Sequence, residues 1–516
     1  MKSKRLLTII FIFFASQLFA IYSESGNFFV KPSDINEASV LNRTLSLAKP
    51  TGRPTRDLSY NSPDGHFIIH YDNDGYNSVP QDYNFHDTIP DFVFKAAEYL
   101  DDSFNTLHDD LGFRVPPTDD ENSPEIDIFF KYDRSYYGVT QLETNDGTGA
   151  WTSYLSLSTL LGDSTIFYTY GLEGLRVTCA HELFHIFQLG YKFRNSDVFY
   201  FEMSSVWFEE YMYPEVNDYH SYIEDYSEDW NYAIQASSMY YNNVGYNMYI
   251  DKRFSTLNDN IIKRIWDRIL SIDALTAIKN ELNSRQISFE ETLRDWGTAQ
   301  VLCGPYSAQN FAYSFNDASE LVSISFDNYN DKIIDDLEED IGLVSNPGVF
   351  YYKLTNLPYN AFLFDMILSE GTAANLVCLN DSNSTVLHFN GNPVVIDGKQ
   401  YDECILVIGL DEENATGSVA ITELFDNKLT NIWPNPLLEN DVLSISYVLL
   451  EEYEQSEIAI YDLKGRKLYS RILSSDFLQS GLQEISLRPQ NLASGVYIIA
   501  LHTENAVIAE KFTFIK

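Results

Sequence analysis

His181, Glu182 and His185 stand in the run Cys179-Ala180-His181-Glu182-Leu183-Phe184-His185, an HExxH spacing. On a helix, residues four apart lie one turn apart on one face, so both imidazoles could grip a single Zn2+. Glu182 would then project beside the metal, where it can take a proton from bound water. That is the chemistry of metal-assisted hydrolysis. A catalytic zinc also needs a third protein ligand and an open position for water. The next histidine is distant, at His220. Carboxylates are nearer, in Tyr200-Phe201-Glu202-Met203-Ser204-Ser205-Val206-Trp207-Phe208-Glu209-Glu210. Glu202 and Glu209 are seven apart and share a helix face, so one could bind zinc while the other braces a ligand from behind.

These residues need a rigid frame. The pattern over 172–189 predicts a helix stopped at Gly190, with Leu172, Leu175, Cys179, Leu183, Ile186 and Phe187 as its apolar stripe. Cys179 belongs to that stripe and reads as core, not ligand. Upstream, His66 to His70 reads as a strand. Pro90 opens a helix whose apolar residues run from Phe92 to Leu111 and which ends at Gly112. Ile126, Ile128 and Phe130 alternate as a strand, and Tyr154, Leu155 and Leu157 suggest another. Further helices are expected over 202–212 and 259–283. A sheet should therefore precede the active-site helix. His66 and His70 would lie about 13 Å apart at strand rise, too far for one metal. The run Asp72-Asn73-Asp74-Gly75 could hold Ca2+, but it lacks the EF-hand ligand series and reads as a solvated turn.

The chain has 516 residues, 45% apolar and 21% charged, with a net charge of -41. The apolar fraction supports a sizeable core, and such a polyanion repels nucleic-acid phosphates. Lys2, Lys4 and Arg5 precede an apolar run from Leu6 to Phe14, and Ala15, Ser16 and Ala20 follow. This is the pattern of a signal peptide over 1–20, with a membrane anchor as the alternative. No later stretch is apolar enough to span a bilayer stably. Residues 21–60 read as a polar leader, linker or prosegment. The expected catalytic domain covers 61–304. Short strand-like runs over 305–426 fit an all-β sandwich, and 427–516 read as a small Ig-like sandwich. Cys378 and Cys404 lie in neighbouring β-like segments and could either pair in an oxidising compartment or stay buried thiols.

The Glu202 and Glu209 region resembles the gluzincin aminopeptidases and thermolysin-like proteases. Their third ligand is a Glu after HExxH, followed in the aminopeptidases by a second Glu seven residues later. The resemblance implies His181, His185 and Glu202 as zinc ligands, Glu209 as the bracing or alternative ligand, and Glu182 as general base. Where the aminopeptidases have Gly-x-Ala, this chain has Met203-Ser204-Ser205, and no GAMEN-like motif precedes the helix. Tyr241, in Met239 to Tyr246, is implied as an oxyanion donor. A second resemblance is to a family of secreted bacterial zinc metalloproteases. It is carried by His66 to Tyr71, Ile89 to Val93, Tyr137-Gly138-Val139-Thr140 and Thr178 to Gln188.

The end of the chain resembles the type IX secretion tail of Bacteroidota-like bacteria. The matching pieces are Pro434-Asn435-Pro436, Ile458 to Arg466, Leu492 to Tyr497 and Lys511 to Lys516. It implies export through the periplasm, recognition by the type IX machinery, and a secreted or cell-surface destination. Taken together, the expectation is a multidomain chain: an α+β zincin-like catalytic domain, an all-β sandwich and an Ig-like tail. Its expected activity is zinc-dependent hydrolysis of extracellular proteins or peptides, as an endopeptidase. The alternative is a catalytically inactive surface or binding protein on the same scaffold.

Overall fold

The computed structural model describes residues 44–46 and 52–516, apart from 119–123, 229, 231, 237–241, 310–312, 327–332, 335–337, 343–346, 356, 359–360, 381–382, 390–392, 412–415, 425, 440, 480 and 491. The expected signal peptide over 1–20 lies outside these residues. The chain divides into two compact units, Met1–Gly304 with Ala312–Ser325, and Pro305–Phe311 with Phe326–Lys516.

The first unit opens with β1 (Thr44–Ser46), β2 (Leu58–Asn61) and β3 (Phe67–Tyr71), then α1 (Asp91–Asn105). Next come β4 (Ile126–Lys131), β5 (Gly138–Asn145) and β6 (Trp151–Ser158). The six strands form one sheet in the order β1-β5-β6-β4-β3-β2. β3, β4 and β6 are parallel, while β5 runs antiparallel to β6. β1 adds to the other side of β5 in parallel, with Leu45 opposite Thr140. The leader read from sequence thus contributes two strands to the sheet. β2 is largely exposed and has no apolar alternation that would mark it as a strand.

Helices complete the unit: α2 (Gly171–Leu189), α3 (Val198–Met212), α4 (His220–Glu228), α5 (Val244–Phe254), α6 (Ile261–Ile269), α7 (Ala274–Ser284) and α8 (Phe289–Val301). The single helix expected over 259–283 is two. The Asp273 side chain accepts from Thr276 N and caps a new start, and Asn260 caps α6 in the same way. The apolar stripe expected on α2 is buried at Leu175, Cys179, Leu183, Ile186 and Phe187, and the other faces of the helix are buried too. From Gly174 to Leu189 every residue but Arg176 is buried, so the helix has no wet face. α3 is buried continuously from Val198 to Glu209, and Pro214 stands just beyond its end. Trp266 of α6 packs edge-on against Phe201 and donates from Nε1 to Ser204 Oγ at 3.3 Å, so α3 is held from behind. At Gly304 (φ 63°) the chain turns, and residues 313–325 pack back onto this unit, with Trp230 Nε1 donating to Ser325 O.

The second unit is β-rich. β7 (Ile333–Ile334), β8 (Glu338–Gly342), β9 (Gly348–Leu354), β10 (Ala361–Leu368), β11 (Thr372–Leu379), β12 (Ser384–His388), β13 (Val394–Asp397), β14 (Glu403–Leu410) and β15 (Thr416–Glu423) form two sheets, ordered β13-β10-β15-β8 and β12-β11-β14-β9-β7. Alternate residues such as Phe362, Phe364 and Met366 of β10 and Leu406, Ile408 and Leu410 of β14 fill one apolar core, as the two-residue period of a strand requires.

The tail has a core of its own. β16 (Lys428–Trp433), β17 (Leu437–Leu438), β18 (Leu443–Leu449), β19 (Glu457–Asp462), β20 (Lys467–Ile472), β21 (Gly481–Leu487), β22 (Gly495–His502) and β23 (Val507–Ile515) make sheets ordered β16-β18-β21 and β17-β23-β22-β19-β20. Ile445, Tyr447, Ile460, Ile499 and Phe512 are among the residues they bury together. Gly465, at φ 79°, makes the β19–β20 turn, where Asp462 Oδ1 accepts from Lys464 N and Arg466 N. The chain is therefore multidomain, of mixed α/β composition, and ends in a β-rich tail.

Candidate metal centre

α2 presents His181 and His185 one turn apart, their ring planes at 84° and centroids 4.7 Å apart. α3 crosses behind them and delivers Glu202. Its Oε2 lies 3.4 Å from His181 Nε2 and 3.3 Å from His185 Nε2. The ligand atoms of these three buried residues all lie within 4.8 Å of one another.

The far side of each imidazole is already engaged. His181 Nδ1 lies 2.6 Å from Glu209 Oε1, one N–H donating to a buried carboxylate. His185 Nδ1 lies 2.8 Å from Gln188 Oε1. Gln188 Nε2 donates to Phe201 O at 3.0 Å and to Ser205 Oγ at 3.1 Å, which fixes the amide so that its oxygen faces His185. An amide oxygen only accepts, so His185 carries its proton on Nδ1 and its neutral form keeps a lone pair on Nε2. This is how metal-ligating histidines are commonly oriented.

Among the described residues, His185 Nε2 and Glu202 Oε2 are buried and make no hydrogen bond. Two lone-pair atoms facing each other at 3.3 Å repel unless a positive charge sits between them. The residues present thus fit a cation. Electrostatics point the same way. Burial would lower the His181 pKa, but Glu202 and Glu209 override it and push it up to about 9. Burial would raise Glu202, yet the imidazoles of His185 and His181 hold it down to about 2. A carboxylate kept ionised beside an imidazole that holds a proton is a site where a metal ion can take the proton's place.

Glu182 sits on the same helix, fully buried. Burial raises its pKa, and His185 and His181 pull in the opposite direction. Its Oε2 accepts from Thr140 Oγ1 at 2.7 Å, and the same hydroxyl lies 3.0 Å from Glu182 O. Gly138, two residues earlier on β5, provides the room: a Cβ there would stand 2.8 Å from Glu182 Cγ and 2.8 Å from Thr178 Cγ2. Thr140, Gly138 and Gln188 were not singled out by spacing arguments. All three lie in segments that carry the family resemblance, but their contacts with His185 and Glu182 were not among what it implied.

Tyr241 lies outside the described residues. Tyr246, in the same segment, is buried with its hydroxyl 2.9 Å from Thr292 Oγ1. Cys179 is fully buried core. His66 stacks on Phe104 and His70 Nε2 lies 2.6 Å from Asp127 Oδ1. Asp72 accepts from Asp57 N, and the following residues form an exposed turn. A second gathering of ligand atoms, Asp64, His66 and Asp101, was not expected. Asp101 spends both oxygens on Ser62 Oγ and Asp64 N, which ties the β2–β3 turn to α1.

The last 86 residues, 431–516, match the secretion system C-terminal sorting domain. The protein is thus of the class handled by the type IX secretion machinery and delivered to the cell surface or extracellular space. No described helix is long and apolar enough to cross a membrane. Residues 40–333 match the model of a family of unknown function (DUF6055), and the chain belongs to that family. No curated protein matches the chain. Among solved structures, it is similar to a β-glucuronidase of Bifidobacterium dentium at 12% identity and a TM-score of 0.17, over 32% of this chain and 39% of that one. A β-glucuronidase of Parabacteroides merdae aligns at 13% identity and 0.18, over 34% and 28%. The chain spans well under half of either enzyme's length, and scores this low carry no argument about function.

Proposed function

We propose that the protein is a secreted zinc-dependent peptidase with a zincin-like α+β catalytic unit, acting on extracellular proteins or peptides. One observation carries the reading: two imidazoles and one carboxylate converge from α2 and α3, with a second carboxylate, Glu182, beside them. Three protein ligands with a fourth position left over is the composition of a catalytic zinc site, whereas structural sites usually take four. A bound Zn2+ supplies Lewis acidity and lowers the pKa of water.

The chain's own residues do the rest. His181, His185 and Glu202 hold the ion. Glu209 and Gln188 orient the two imidazoles. Glu182 takes a proton from the attacking water and passes it to the leaving amine, and Thr140 keeps its carboxyl aimed. Tyr241 is proposed, by resemblance alone, to donate to the developing oxyanion.

A second reading, a non-catalytic metal-binding scaffold, is favoured by one observation: His181, Glu182 and His185 have no solvent exposure. Casein digestion by the purified exported protein separates the two. Cleavage that a chelator abolishes, Zn2+ restores and Glu182→Gln removes supports the peptidase. Bound metal without turnover on a broad peptide library supports the scaffold.

A further inference from the structure

Cys378 and Cys404 face each other in the middle of a sheet. They are directly opposite in the antiparallel pairing of β11 with β14, both side chains are fully buried, and their Sγ atoms are 3.2 Å apart. A disulfide bond is about 2.05 Å long, so only about 1.2 Å of movement separates this contact from a bond. β11 and β14 each have a further strand on their other side, so the two backbones are held in register around the pair. The sorting domain marks the chain for delivery to the cell surface or extracellular space, outside the cytoplasm. Disulfides form and persist in the periplasm and outside the cell, where they are not continually reduced.

We propose that Cys378 and Cys404 form a disulfide in the exported protein, cross-linking the centre of the five-stranded sheet. The oxidant is the disulfide of a periplasmic thiol oxidase. One cysteine thiolate attacks that disulfide and forms a mixed disulfide. The second thiolate displaces the oxidant's sulfur. The Sγ–Sγ bond forms as the oxidant's S–S bond breaks, the oxidant's two sulfurs take the two electrons and the two thiol protons, and it leaves as its dithiol. Because the pair is buried in the closed sheet, exchange takes place as the strands come together. Cys179 and Cys303 belong to the other unit and remain thiols. Once buried, the bond is shielded from reductant and resists the extracellular environment without a catalytic role.

The test does not depend on the peptidase reading. The exported protein is denatured without reductant and alkylated, and its thiols are counted by mass. Two alkylated thiols are expected, rising to four after reduction. Trypsin cuts after Lys353, Lys399 and Lys428, so an unreduced digest should contain 354–399 joined to 400–428, lighter by two hydrogens than the two free peptides. Cys404→Ser should leave three alkylated thiols; if that variant fails to accumulate, the wild-type digest still decides. Four thiols without reduction, or Cys378 linked to Cys179 or Cys303, would overturn the proposal.

Discussion

The two units bury different things. In the β-rich unit, the buried polar residues among those described are the neutral Asn375 and Ser456. In the first unit Asp91, Asp101, His181, Glu182, His185, Asp197, Glu202, Glu209 and Glu281 are all buried. A buried charge is costly unless it is paired and hydrogen-bonded, so each must be answered locally. Some are answered by arginine: Asp197 by Arg194, and Glu281 by Arg268 and Arg285. Those fasten α6, α7 and the turn before α3. Glu202 and Glu209 are answered by imidazoles instead. Hydroxyl and backbone donors answer others, as at Asp101 and Glu182, and the carboxylates that meet histidine are the ones on which the proposed function rests. The β unit is a scaffold of apolar alternation.

If that contrast is right, damage to the two units should have separable consequences. Leu406→Ala, in the sandwich core, should lower stability by about 2–5 kcal/mol in denaturant unfolding. Metal stoichiometry of the folded fraction should stay unchanged; a loss of metal would break the contrast. Glu182→Gln should reduce peptide turnover at least ~10²-fold, about 2.7 kcal/mol of transition-state stabilisation. Its metal content should match wild type. Near-normal turnover in that variant removes Glu182 from the mechanism.

Smaller effects sharpen the picture within the site. Glu209→Gln removes the carboxylate behind His181 but leaves the three ligands. Competition with a chelator should show metal affinity down by about 10–100-fold, the usual cost of losing such a partner. If Glu209→Gln loses all metal while Glu202→Gln retains it, the roles of the two carboxylates are exchanged. Thr140→Val should lower kcat by roughly tenfold with metal affinity unchanged, the lower end of what a hydrogen bond to a charged group contributes.

Much of the site's frame was legible because its signals are local. The four-residue spacing of His181 and His185 needs only a helix. The seven-residue spacing of Glu202 and Glu209 needs only a second one, and α3 carries both. What escaped depends on tertiary packing. Gln188 orients His185 because its amide is fixed by Phe201 O, thirteen residues on and on another helix. Thr140 and Gly138 reach Glu182 from a strand forty residues upstream. The apolar stripe on α2 is buried as its spacing implies, but the burial of the other faces escaped because a helix covered on all sides has no polar face to reveal it. β2 escaped because an exposed strand has no alternation, and the α6–α7 break because the Asp273 cap interrupts a continuous apolar period.

The proposed peptidase chemistry requires that α2 and α3 hold a metal ion between His181, His185 and Glu202. Metal analysis of the exported protein beside its Glu202→Gln variant tests it directly. About one equivalent of zinc in the wild type, and a sharp loss in Glu202→Gln while circular dichroism shows both folded, is the predicted result. No metal in the wild type after incubation with Zn2+, or equal retention by both proteins, would contradict it.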